Sequence, residues 1–258
     1  MATHEIPCAA STLLAHLLDS PVEGGGVELL EVARTSVSVH YLTGDPVVPV
    51  LCVCTSRAVL LPNSLVTGSL PAPGPLRIGD GRLTSPTATW GVRRWWQPSQ
   101  PSGLPRPTGA DVARLSVPAA SPDVPRLALP LSPDALIGLG PGLTPAGDDV
   151  LAGALVAAYA TDDPRLPAWR RTTVAALARG RTTDISRAML HHALDGYAVP
   201  QLAAFVTALC LGHDTAAATA DLLAVGHTSG GALLTGVLHT LRTDPGRLTA
   251  CERTEGAA

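Results

Sequence analysis

"GLGPGLTPAGDD", residues 138–149, sets four glycines, two prolines and two adjacent aspartates in twelve positions and runs straight into the apolar stretch "VLAGALVAAYA", residues 150–160. Glycine reaches positive φ at no steric cost and proline fixes φ, so Gly138, Gly140, Pro141, Gly142, Pro145 and Gly147 jointly define an unusual backbone path. Ahead of an apolar run, such a turn predicts a helix start, with Thr144 or Gly147 capping N–H groups that lack intrahelical partners.

From that point the period stays helical. It predicts helices over 147–161, 167–179, 184–195, 200–211, 214–225 and 230–242, separated by the short breakers "TDDPRLP", "DGYAVP" and "LGHD". Upstream the period is strand-like. "SVSVHYL" and "VPVLCVCTS" carry β-branched residues at spacing two, and "RIGDGRL" holds an Asp-Gly pair between short extended flanks, a hairpin signal. Residues 8–19 read as a short amphipathic helix, with Ser11 a possible start and Leu13, Leu14, Leu17 and Leu18 on one face, ended by "EGGG" at 23–26. Residues 97–130 are proline-rich, which disfavours long regular elements. The expected class is α+β: a mainly antiparallel β half with a leading helix over 1–96, a Pro-rich connection over 97–130, and a helical half over 131–258.

Composition narrows the chemistry. The chain of 258 residues has 46% hydrophobic but only 3% aromatic residues, so its core is built from Ala, Leu and Val. All 18 basic residues are arginine, which removes Schiff-base and P-loop lysine chemistry. A net charge of −3 with no basic run offers no footprint for nucleic acid. The five cysteines are an odd number and the close pair is C-V-C, so free and mostly buried thiols are expected. No apolar run reaches the ~18 residues of a membrane span and the first residues lack a signal-peptide pattern, so a cytoplasmic location is expected.

Three clusters carry candidate chemistry. In the glycine loop, consecutive N–H groups and the helix dipole can hold a phosphate or carboxylate, with Gly140, Gly142, Leu143, Thr144 and Gly147 around it. Asp148 and Asp149 sit in the first turn, where acids are also stabilising without any further role. Successive helical positions point ~100° apart, so one carboxylate can cap or pair with an arginine while the other faces a ligand as base, acceptor or Mg²⁺ ligand. A second glycine-marked start, "GHTSGGALLTGVLHTL" from residue 226, matches the first at one offset: Gly147 with Gly230, Leu151 with Leu234, Gly153 with Gly236. A ligand between the two starts would meet His227, Thr228 and Ser229, with His227 able to titrate near neutral pH. The third cluster is "RGRTTDISRAMLHHALDG", residues 179–196, where Thr182 or Thr183 caps a helix carrying Ser186 and Arg187. Arg187, Arg179 and Arg181 offer guanidinium forks to oxyanions, or are simply solvated. "GHTSG" is not the G-x-S-x-G nucleophile elbow, and "GLGPG" is not the dinucleotide fingerprint. "HH" at 191–192 lacks zinc-ligand spacing, although His191 and Asp195 are four apart; no metal and no cofactor are expected.

"GLGPGLTPAGDD", then "TTDIS…ML…A…G", then "GHTSG…L…G", in this order and spacing over 138–236, resembles a bacterial family that includes the H subunit of the oxamate carbamoyltransferase of allantoin breakdown. The resemblance implies carbamoyl transfer between carbamoyl phosphate and a small amide or amine acid such as oxamate, with partner subunits. Combined with the three clusters above, this reading puts Asp148, Asp149 and His227 in the chemistry, and the loop, Ser186, Arg187, Thr228, Ser229 and Gly230 in binding. Ala146 replaces a serine usual in that family and Val150 an aromatic, so no role for that hydroxyl carries over. Two other readings stand beside this one: a non-catalytic, small-acid-binding assembly or regulatory subunit, and a metal-dependent hydrolase using the aspartates with His191 or His227.

Overall fold

The computed structural model describes residues 4–19, 26–113, 115 and 132–243. Most of "EGGG", most of the second half of the Pro-rich 97–130 stretch, and Cys251 therefore lie outside the described residues. The chain divides into two compact units, Met1–Ser99 and Gln100–Ala258.

The first unit is a closed barrel of β1 (His4–Ser11), β2 (Val27–Arg34), β3 (Ser38–Leu42), β4 (Val50–Cys54), β5 (Ser64–Thr67), β6 (Leu76–Gly79), β7 (Arg82–Thr84) and β8 (Ala88–Trp96). Around the barrel the order is β1-β5-β4-β3-β2-β6-β7-β8, with β8 closing onto β1. This overturns the expected antiparallel sheet, because β1 pairs β8 in parallel, β4 pairs β5 in parallel, and closure leaves no free edge. Alternation reports which face of a strand is buried, not which distant strand it pairs with. Only the local hairpins were legible that way, such as β6–β7, whose turn holds Asp80 at φ 49° and Gly81 at φ 74°.

The helix expected over 8–19 is corrected too. Cys8–Ser11 completes β1, and a 3-10 turn (Thr12–Leu14) and α1 (Ala15–Leu18) follow. Ser11 caps that turn by accepting from the Leu13 N–H at 3.2 Å. Leu14, Leu17 and Leu18 join Tyr41, Leu51, Leu65, Ile78, Leu83 and Trp90 in the barrel core. Strand pairing of Cys8–Ala10 with both β5 and β8 outcompetes the local helical period.

The second unit holds α2 (Gly109–Ala113), α3 (Pro133–Leu136), α4 (Ala146–Ala160), α5 (Leu166–Leu177), α6 (Asp184–Leu194), α7 (Pro200–Cys210), α8 (Ala216–Leu223) and α9 (Ser229–Arg242). The last six begin and end within two residues of the spans the periodicity predicts. Among the described residues, no helix is long and apolar enough to cross a membrane.

α4 is buried on nearly every side, which its Ala/Gly composition permits because neighbouring backbones approach closely. Its principal neighbour is α9, and the two run in the same direction. Near their starts the Thr144 and Ser229 hydroxyls lie 3.2 Å apart. Past their ends, Arg165, which follows α4, donates to the Thr240 carbonyl of α9 at 2.9 Å. The packing is reciprocal: a Cβ on Gly153 would strike the Leu233 carbonyl, and one on Gly236 would strike the Val150 carbonyl. Gly153 relates to Gly236, and Val150 to Leu233, by the same offset of 83 that the sequence echo shows. At such a seam only glycine lets the backbones touch, and Cα–H groups face carbonyl oxygens.

At the far end, Asp163, with no exposed side-chain surface, takes Arg106 at 2.8 Å and Arg165 at 2.6 Å. The same arginines donate to the last α9 carbonyls, at Thr240 and Thr243. This clamp satisfies the acceptors that a helix end leaves open.

Candidate active site

The parallel pairing brings the positive ends of the α4 and α9 dipoles together, and α6 begins beside them. The connecting loop follows its glycines. Gly138, Gly140 and Gly142 take φ of 78°, 111° and 98°. At Gly138 a side chain would also collide with the Arg181 carbonyl, and at Gly147 with the Leu136 carbonyl.

Some of the loop's amides, at Gly138, Leu139, Gly147, Asp148 and Asp149, are committed internally, whereas among the described residues no acceptor meets those of Gly140, Gly142, Leu143 and Thr144. The Leu139 N–H donates to Leu136 O at 2.9 Å and the Gly147 N–H to Leu139 O at 2.8 Å. Those of Asp148 and Asp149 donate to Pro145 O at 2.9 and 3.2 Å. The Gly138 N–H donates to Asp148 Oδ1 at 2.9 Å. One of these amides, that of Gly138, thus holds the protein's own carboxylate. Asp148, 1% exposed, also accepts from Ser186 Oγ at 2.7 Å and from Thr182 Oγ1 on its Oδ2. Three donors and two helix starts replace the cation that a buried carboxylate otherwise needs. Asp148 thus pins the loop to α6, and Thr183 adds a second tie by capping α6 and donating to Leu143 O at 2.5 Å.

Asp149, one position on, points elsewhere. It is half-buried, and its Oδ2 is buried without a hydrogen-bond partner. Burial pushes its pKa up to about 7, the Ser229 and Thr144 hydroxyls beside it pull it down, and the neighbouring charge of Asp148 adds to the rise. A carboxyl, two hydroxyls from different helix starts and two dipole ends thus meet at one place. The carboxyl is poised to exchange a proton near neutral pH.

The two starts share one plan. In the second, the Val225 N–H donates to Leu222 O at 3.0 Å and the Gly230 N–H to Val225 O at 2.9 Å, matching the chain of Leu136, Leu139 and Gly147. Gly230 packs on the Leu222 carbonyl as Gly147 packs on that of Leu136. Gly147 and Gly230 are therefore packing positions in this geometry. The first loop is longer by three residues, and only that start carries aspartates, since Gly231 and Ala232 stand at the equivalent positions.

The other sequence-derived residues lie as follows. Ser186 is turned into the protein, onto Asp148. Arg187 has a buried Nε without a partner, and among the described residues no carboxylate pairs with it. Its charge lies close enough to His191 to lower that residue's pKa, after the larger effect of burial. Arg179 and Arg181 both engage Asp134, which the sequence reading had not singled out. Asp195 pairs with Arg170 at 3.3 Å. Gly140, Gly142 and Leu143 are exposed on the loop, and Thr228 precedes α9 without a side-chain capping bond. His227 is exposed, and among the described residues no hydrogen bond joins it to Asp149. Among the described residues no group of His, Cys, Asp and Glu has the geometry to hold a metal ion.

No solved structure matches this chain. Residues 136–241, which contain all three motifs and every side chain gathered around Asp148 and Asp149, match the family described as oxamate carbamoyltransferase subunit AllH.

Proposed function

We propose that the chain is a subunit of a carbamoyltransferase acting on carbamoyl phosphate and a small amide-bearing acid such as oxamate, and that the reacting amide lies against Asp149, Thr144 and Ser229. The observation that carries this reading is the unpartnered, buried Oδ2 of Asp149 between two hydroxyls. In the synthetic direction the amide nitrogen attacks the carbamoyl carbon, the carbon–oxygen bond to phosphate breaks, and the nitrogen's proton passes to the Asp149 carboxylate. In the phosphorolytic direction a phosphate oxygen attacks the same carbon, the carbon–nitrogen bond breaks, and protonated Asp149 returns the proton to the departing amide.

A carboxyl titrating at about 7 supplies both forms at neutral pH. The reaction requires no covalent enzyme nucleophile. The paired helix starts of α4 and α9 stabilise the developing oxyanion, and Arg187 is the cation available for phosphate or carboxylate. His227, exposed two positions before Ser229, is a second proton carrier in this scheme.

Isothermal titration of the purified chain with carbamoyl phosphate, phosphate and oxamate, alone and with partner subunits, tests binding; heat is expected with at least one. Asp149→Asn in the reconstituted complex is expected to cut turnover about 100-fold or more with assembly intact. Unchanged turnover would favour the non-catalytic reading, in which the same residues only bind the acid.

A further inference from the structure

The barrel unit carries a feature that the carbamoyl-transfer reading does not use. Along the β1–β8 seam the register advances evenly to Cys8 opposite Val92 and then jumps, so that Ala9 faces Arg94 and Arg93 is left as the extra residue of a bulge. Bulges re-aim side chains. In a regular strand Arg93 and Arg94 would point to opposite faces; here both line the same cleft, with Ser56 and Thr67. The cleft has a volume of about 320 Å³.

Arg93 is balanced by Glu5 at 2.5 Å, in a pair more than half exposed on both sides. Among the described residues no carboxylate balances Arg94. The Arg93 charge also reaches inward: it opposes the burial that raises the Cys8 thiol to about 11. Two arginines brought to one cleft beside a backbone irregularity, one without a counter-charge among the described residues, next to the exposed Ser56, offer donors that suit a planar or tetrahedral oxyanion.

We propose that this cleft binds a small oxyanion, a phosphate or carboxylate group, between Arg93 and Arg94. Glu5 occupies Arg93 when the site is empty and releases it when the anion enters. The site is independent of the Asp149 reading and lies wholly within the first unit.

The test is an NMR titration of the full ¹⁵N-labelled chain with inorganic phosphate, following the amides of Thr67, Gly68, Arg93 and Arg94. Oxamate in a parallel series separates phosphate from carboxylate preference. Saturable shifts at these amides are expected, with the dissociation constant raised about tenfold or more in Arg94→Gln and lowered in Glu5→Gln. Arg82→Gln, in the adjoining cleft, is expected to leave the constant unchanged. Shifts that never saturate, or an Arg94→Gln protein with native amide dispersion and the wild-type constant, would overturn the proposal.

Discussion

Asp149→Asn is the most informative perturbation of this protein, because it separates the energetic cost of the candidate site from its chemistry. A carboxyl that titrates at about 7 in the folded chain and at 3.8 when unfolded penalises the folded state as it ionises. At ~1.4 kcal/mol per pH unit, the ceiling on that penalty is about 4 kcal/mol. The sign follows from the raised folded pKa: the stabilising contribution is complete below pH 3.8 and is lost as pH rises through about 7. Asparagine has the same shape and no charge, so the variant does not lose stability across that window. With water admission and side-chain rotation relieving roughly half the cost, the variant is expected to exceed the wild type by about 2 kcal/mol at pH 8 and to match it at pH 4. Urea denaturation followed by far-ultraviolet dichroism at pH 4, 6 and 8 measures the difference directly. A difference that does not change with pH, or a variant less stable at pH 8, would refute the assignment of a buried, uncompensated acid. On the proposed function, the fold tolerates this destabilising acid because the reaction uses it.

Other expectations concern the scaffold around it. Asp148→Ala strands the Gly138 N–H and the Thr182 and Ser186 hydroxyls, and is expected to cost about 3 kcal/mol in urea denaturation and to open residues 138–145 to limited proteolysis. Gly153→Ala drives a methyl group into the Leu233 carbonyl and is expected to lose about 2 kcal/mol by calorimetry, whereas Gly231→Ala, with nothing within 4 Å, is expected to gain up to about 1 kcal/mol. Asp163 is held below the usual carboxylate range, burial being outweighed by hydrogen bonds from Arg165 and Arg106, so its contribution is present above its unfolded pKa and lost as pH falls through the depressed folded value. Asp163→Asn is accordingly expected to cost about 3 kcal/mol at pH 7 and to flatten the acid limb of the stability–pH profile.

The sequence by itself determined the helical half and its landmarks. The 3.6-residue period, the breakers and the constrained turn at 138–147 are local properties, and the six long helices lie where those properties put them. The echo between the 147–153 and 230–236 segments was also legible, but its meaning was not, since reciprocal glycine contacts exist only once α4 and α9 lie side by side. The tertiary structure alone decided that the barrel closes with parallel seams, because pairing partners such as β1 and β8 are chosen by long-range hydrogen bonding that alternation does not encode. It alone divided the labour of the adjacent aspartates as well. Asp148 meets amide and hydroxyl donors brought from 138, 182 and 186, while Asp149 meets hydroxyls from 144 and 229, and neither set of neighbours can be read from a spacing of one residue.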